Sequence, residues 1–372
     1  MAGIGYSQVQ GIVLNANISQ DNIFGSGKRV NLAFNNSDYL TSYQFGFHNP
    51  YFTSDGVSQG YNLGYSSRDA GAINISNYNT DEIKTGINFG LPLNEYDQIG
   101  FDLTAKYTTL KTTDYSSDQI RNFLVCKSIN SCGIAGSSAA QEDSYFTYAP
   151  SLSWSHDTLN RAIFANNGGR QSVSAMLTAP GSNLEYYQLG YSHQIYFPLA
   201  KDLTLKLRGD VGYGDGYGST EELPFFVNYF AGGSGSVRGF KNNTLGPRES
   251  RTINCPPGIT PDVTKGCGYK NASLGGSTKI VANAELFFPV PFMPDTKSVR
   301  LGTFFDAGSL NNGMNVDNLK YSAGLSGEWM SPFGMLSVSA AMPLNANSLQ
   351  TINGITTGDE KQIFQFNFGQ NF

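Results

Sequence analysis

Charge is scarce in this chain, and long apolar runs are missing. Asp, Glu, Lys and Arg together make up only 14% of the 372 residues. No stretch approaches the ~20 consecutive apolar residues that a membrane-spanning helix needs, so a helical membrane protein is ruled out. There is no basic run, and the net charge is −5, which argues against nucleic acid as a partner. The three histidines, His48, His156 and His193, are far apart. Neither Gly232, Gly233 and Gly235 nor Asp306-Ala307-Gly308 is followed by the Gly-Lys-Ser/Thr of a phosphate loop. No metal-ligand constellation stands out. The expectation is a non-enzymatic protein with no cofactor and no metal. A Ser/His hydrolase would have to use His156 and Asp157 with Ser153 or Ser155. Those residues lie near the end of one alternating strand, where polar side chains are expected without catalysis.

Cysteine is sparse as well. The four form two local pairs, Cys126/Cys132 and Cys255/Cys267, in polar, loop-like stretches. Short-range pairing in an oxidising compartment fits two loop disulfides. Zinc is the competing reading, but no histidine is near either pair and neither has Cys-x-x-Cys spacing.

Aromatic residues are abundant, at 13%, with 25 Phe and 21 Tyr. A transmembrane β-barrel accommodates them, because aromatics form girdles at both interfaces and only alternate residues need be apolar. A soluble β-sandwich or propeller also alternates, but no blade-length repeat is present. Alternation is the main signal. Leu203, Leu205, Leu207, Val211 and Tyr213 share one parity, while Thr204, Lys206, Arg208 and Asp210 hold the other. Side chains alternate faces with period two, so one face of such a strand is wet and the other apolar. The rhythm recurs in Ile83-Ile87-Phe89-Leu91, Ile99-Phe101-Leu103-Ala105-Tyr107, Tyr321-Ala323-Leu325-Trp329 and Phe364-Phe366-Phe368-Phe372.

The pattern predicts an all-β, sixteen-stranded antiparallel transmembrane barrel over the whole chain, 1–372. Its strands fall near 2–8, 10–20, 27–36, 41–50, 58–68, 80–92, 97–112, 144–156, 170–180, 184–198, 203–214, 277–289, 298–309, 319–330, 333–344 and 361–372. An even count places both chain ends on the same side. Tight links such as Asn94-Glu95-Tyr96 and Ser331-Pro332 read as periplasmic turns, and long polar inserts read as external. Tyr51, Phe52, Trp154, Tyr186, Tyr187 and Trp329 are expected to anchor at lipid interfaces. The longest insert, about 215–276, needs a job to be credible at that length. Folding back into the lumen would supply one.

That insert contains Tyr229-Phe230-Ala231-Gly232-Gly233, then Val237-Arg238-Gly239-Phe240, then Asn243-Thr244-Leu245-Gly246-Pro247. It resembles the sixth extracellular loop of the BamA family, core subunits of the outer-membrane β-barrel assembly machinery. Related translocators share the Val-Arg-Gly-Phe motif. The likeness extends along the chain through Asn49-Pro50-Tyr51-Phe52, Leu93-Asn94-Glu95-Tyr96, Pro180-Gly181-Ser182, Trp329-Met330-Ser331-Pro332 and the aromatic C-terminus. The resemblance implies an integral protein of a Gram-negative outer membrane. Its expected partners are nascent outer-membrane β-barrel proteins, assembly-machinery lipoproteins and outer-membrane lipid. POTRA domains normally precede such a barrel. With no signal peptide after Met1, an N-terminal portion is expected to have been cut away.

The resemblance also implies that Arg238 is anchored inside the barrel by acidic residues on two strands. Alternation tests this independently. Ile280, Ala282, Ala284, Leu286 and Phe288 share the apolar parity, so Glu285 faces the lumen; Val299, Leu301 and Phe305 place Asp306 there too. The bland alternative is a solvated, idle loop arginine. The closure of the barrel is the other candidate site. Strand 2–8 is short and carries Gly3 and Gly5 beside Ile4 and Tyr6, and glycine weakens a strand. Strand 361–372 carries Phe366, Phe368, Gly369 and Phe372, and Gly369 could let it bend away. Unpaired edges template other strands, so the two are expected to form a lateral gate that works without ATP. The remaining alternatives are a polypeptide-secreting translocator of the same superfamily and a passive porin.

Overall fold

Sixteen strands close into one antiparallel barrel, as the alternation predicts. The computed structural model describes residues 2–113, 116–127, 141–249, 272–288, 290, 298–332, 334–352 and 355–369. The chain opens with β1 (Ala2–Ser7), β2 (Gly11–Gln20), β3 (Arg29–Asn36) and β4 (Leu40–Asn49). Then come β5 (Ser58–Asp69), β6 (Tyr78–Pro92), β7 (Asp97–Thr112) and β8 (Glu142–Asp157). After these run β9 (Gly168–Leu177), β10 (Tyr186–Ala200), β11 (Leu203–Gly216) and β12 (Thr278–Phe288). The last four are β13 (Val299–Asn311), β14 (Lys320–Ser331), β15 (Gly334–Pro343) and β16 (Phe364–Gly369). Each strand pairs with its sequence neighbour in the barrel, and β16 also meets β1.

Period two sets the two surfaces. Ile4, Ile12, Leu63, Leu152 and Leu325 all stand exposed on the outer wall. A continuous apolar exterior of this kind is stable only against hydrocarbon. On the other parity Thr204, Glu285, Asp306 and Gln365 are buried inside. Connections at one end are short, such as 93–96 and 201–202. The other end carries the long excursions, including 217–277.

The lumen is stoppered at the long-loop end. Phe225 from the long loop meets Tyr78 of β6 at 4.9 Å between ring centroids and Phe123 at 5.2 Å, both edge to face. Phe123 belongs to α1 (Asp118–Cys126), a helix the strand pattern did not predict. Its start is marked by Ser117, whose hydroxyl accepts from the Ile120 amide, an ordinary N-cap. Ile120, Phe123 and Leu124 then share one helical face, which packs into the aromatic cluster.

Two expectations need correction. Tyr186 is not a lipid anchor: it is buried among Tyr78, Leu110, Leu184 and Phe225 inside the barrel mouth. Its position on β10 matches Gln188 and Gln194, which lie on the wet parity. Tyr51, Phe52 and Trp329 do stand exposed. Trp154 and Tyr187 are half-buried, and Trp154 donates its ring N–H to Asp97 at 3.1 Å. The last wall strand also begins later than residue 361, at Phe364. Lys361 and Gln362 leave the barrel wall and pair instead with Phe240 and Gly239 of the long loop. Residues 370–372, including Phe372, lie outside the described residues, as do the side chains of Cys126, Cys132, Cys255 and Cys267.

Candidate functional site

The long loop is a folded element. Tyr229 and Gly276 exchange two backbone hydrogen bonds of 2.9 Å at its base. Beyond them a tight turn forms, with the Gly233 amide donating to the Val237 carbonyl and the Gly232 amide to Ser236 Oγ. This turn presents Arg238 to the wall formed by β12 and β13.

Arg238 meets two carboxylates there. Its Nε and one terminal nitrogen donate to Asp306 Oδ2 and Oδ1, each at 2.8 Å, a bidentate fork. The other terminal nitrogen donates to Glu285 Oε1 at 2.8 Å. The Arg238 backbone amide adds a bond to Asp306 Oδ2 at 3.1 Å. The guanidinium carbon sits 3.4 Å from the centre of the Phe304 ring, a cation–π stack. Asp306 is fully buried and Glu285 nearly so. Buried carboxylates are costly unless paired and hydrogen-bonded. Here further donors serve both carboxylates: Asn283 donates to Asp306 and Ser326 to Glu285. Lys206 Nζ stands 3.9 Å from Glu285, so two cations face two anions.

The other motif residues have distinct jobs. Val237 and Phe240 are fully buried with Ala231, Leu245 and Leu310. Gly239 has φ +87°, a conformation that favours glycine. A Cβ there would also come within 3.1 Å of Ala341 and 3.2 Å of Pro343 on β15. The loop thus lies flat against the wall. Phe240 continues the contact toward β16, where its carbonyl accepts from Gln365 at 2.8 Å. Lys241 pairs with Glu360 at 2.7 Å.

Among the described residues the closure of the barrel is thin. Of these, Tyr6 opposite Phe368 and Ser7 opposite Asn367 are the pairs in register between β1 and β16. β16 holds β15 through six pairs, from Phe364 to Gly369, and β1 holds β2 through six. Every other junction of the wall has seven or more. Ile4 and Gly5 of β1, like Gly3, have no described partner on β16. The ladder to β1 ends before Gly369, whose φ is +144°. On the outer face Tyr6 stacks on Phe366, with centroids 5.6 Å apart and ring planes at 16°. On the inner face Ser7 donates to Asn367 at 3.3 Å.

These features fit one domain family. The Omp85 superfamily domain matches residues 22–372. The chain belongs to the Omp85 superfamily.

Within the superfamily this Omp85 barrel resembles BamA. It is 34% identical over 398 aligned residues to the outer membrane protein assembly factor BamA of Neisseria meningitidis serogroup B, covering 99% of this chain and 46% of that protein. The crystal structure of BamA from Haemophilus ducreyi lacking POTRA domains 1–3 superposes with a TM-score of 0.83 at 28% identity, covering 100% of this chain and 69% of that one. CdiB from Escherichia coli has a TM-score of 0.58 at 13% identity, covering 99% of this chain and 62% of that one, which is a likeness of fold alone. The Omp85 barrel is an integral protein of the Gram-negative outer membrane.

The structure brings together Arg238, Glu285 and Asp306, and places Tyr6, Phe366 and Phe368 at the closure. Sequence reasoning missed Asn283, Phe304 and Ser326 as members of the arginine site. The signal was present, because Asn283 shares parity with Glu285 and Phe304 with Asp306. Gln8 and Gln365 at the closure gave no such signal. His156 Nδ1 bonds Asp97 Oδ1 at 2.9 Å, while Ser153 Oγ donates to the Gly100 carbonyl, so this serine is directed elsewhere.

Proposed function

We propose that this barrel is the membrane part of an outer-membrane protein insertase, and that β1 and β16 part as a lateral gate. The observation that carries the reading is the closure itself, which among the described residues has two register pairs where every other junction has at least six. A strand edge that separates cheaply offers backbone donors and acceptors to a client strand, and main-chain pairing is indifferent to client side chains. Client apolar surface entering lipid, together with completion of its hydrogen-bond ladder, drives insertion without ATP. The stoppered lumen supports the sideways route. The proposed partners are nascent β-barrel proteins and outer-membrane lipid. Accessory lipoproteins are proposed to engage mainly through POTRA domains rather than through the barrel.

The test is a lock across the gate. Tyr6→Cys with Phe368→Cys joins the residues that face one another in the register. In the full-length protein, oxidation is expected to stop insertion of client barrels, and reduction to restore it. Normal insertion by the oxidised protein would refute the gate. The shared loop motif keeps a polypeptide-secreting translocator as a second reading. Release of client across the membrane, rather than into it, would select that alternative.

A further inference from the structure

We propose that Gln8 is a removable stand-in for a paired strand, its side-chain carbonyl filling on β16 the place of a backbone carbonyl. The inference rests on the gate reading above and adds a specific latch to it.

The register runs Tyr6 opposite Phe368, then Ser7 opposite Asn367. Continued by one step, it sets Gln8 opposite Phe366. The backbone ladder stops there, because the chain leaves β1 for its turn to β2. In an antiparallel strand, alternate residues aim their N–H groups at the same neighbour. Phe366 therefore presents its amide on the same edge as Phe368, toward β1. An amide in the wall left without a ladder partner needs another acceptor.

Gln8 supplies that acceptor. The Phe366 amide donates to Gln8 Oε1 at 3.2 Å, and Gln362 Nε2 donates to the same oxygen at 2.9 Å. The backbone amide can only donate, so the Gln8 atom facing it is the carbonyl oxygen. The Tyr6–Phe366 stack lies alongside on the lipid face. A side chain held through flexible torsions can withdraw while β1 stays on β2, so the edge is capped at rest and uncapped without unravelling a strand. The occupant it yields to is the extended backbone of an incoming strand, whose carbonyl makes the same bond.

The experiment compares wild type, Gln8→Met and Gln8→Glu in the full-length protein in lipid bilayers. Methionine keeps the length and loses the acceptor; glutamate keeps an acceptor. Two quantities are read: hydrogen exchange at the Phe366 amide, and photocrosslinking to β16 of a synthetic peptide copying residues 2–8. Gln8→Met is expected to speed exchange at Phe366 about tenfold, the worth of one hydrogen bond, and to raise crosslinking. Gln8→Glu is expected to stay near wild type in both. Unchanged exchange in Gln8→Met, or equal disturbance by both variants, overturns the stand-in. That outcome, combined with a Tyr6/Phe368 lock that still blocks insertion, leaves the gate standing. Normal insertion by the locked protein removes the gate itself, whatever Gln8 does.

Discussion

Gln365 of the last strand donates its side-chain amide to the carbonyl of Phe240, at 2.8 Å, inside the barrel. Phe240 is two residues from Arg238, which is pinned to β12 and β13. The anchored loop and the closure strand are therefore neighbours, and a change in one is expected to register in the other.

Arg238→Ala leaves Asp306 and Glu285 buried without their main cation. Breaking a buried pair from one side costs about 3–5 kcal/mol. The loop is expected to detach, seen as faster hydrogen exchange across 229–249. Arg238→Lys keeps the charge but not the planar fork, so an intermediate loss is expected. Exchange in Arg238→Ala equal to wild type would show the anchor to be idle.

Gly239→Ala should act through backbone and wall together. The residue has φ +87°, and a methyl group would press on Ala341 and Pro343. Strain of about 1–3 kcal/mol is expected, with loosened amides in β15 and a lower unfolding temperature in detergent. Retention of the wild-type temperature would contradict the close approach described.

Tyr6→Ala removes the stack that covers the closure from lipid. An aromatic pair contributes about 0.5–1.5 kcal/mol beyond its buried area. More frequent brief openings are expected in single-channel recordings, with the barrel still folded. A steady open pore in the wild-type protein would instead favour a porin.

Phe123→Ala empties the centre of the aromatic stopper. Such a truncation costs about 3–5 kcal/mol. The loss falls on the plug rather than on the wall, because Phe123 contacts Phe225, Phe226 and Tyr145 at the barrel mouth. Conductance should rise while heat-modified mobility on gels stays barrel-like.

The wall was legible because lipid outside and water inside impose period two on every strand. The same parity sets Glu285 and Asp306 on the lumen face. It failed where a third environment intervened. Its aromatic character points Tyr186 to the lipid interface, yet the inside of the mouth is lined by the chain's own loops, and a large apolar ring is welcome there. Parity with Gln188 held the clue. α1 escaped because it covers only nine residues within a polar insert, although Ser117 followed by Ile120, Phe123 and Leu124 is a capped amphipathic turn. The division of 361–369 into a loop-paired part and a wall strand has a faint local mark: Gln362 stands on the apolar parity of Phe364 and Phe366, and Ile363 on the wet parity of Gln365 and Asn367. The pairing of Lys361 and Gln362 with Gly239–Phe240, however, is visible only in space.

The short ladder between Gly239–Phe240 and Lys361–Gln362 has a mechanical implication. With Arg238 moored to β12 and β13, this ladder turns the loop into an internal tie-rod reaching from one side of the cylinder to the approach of its final strand. Spreading the cylinder would load that rod in tension before the wall itself unzips. The weakest fasteners along it, rather than the lipid, would then set how far the cylinder can yawn and how readily it springs shut.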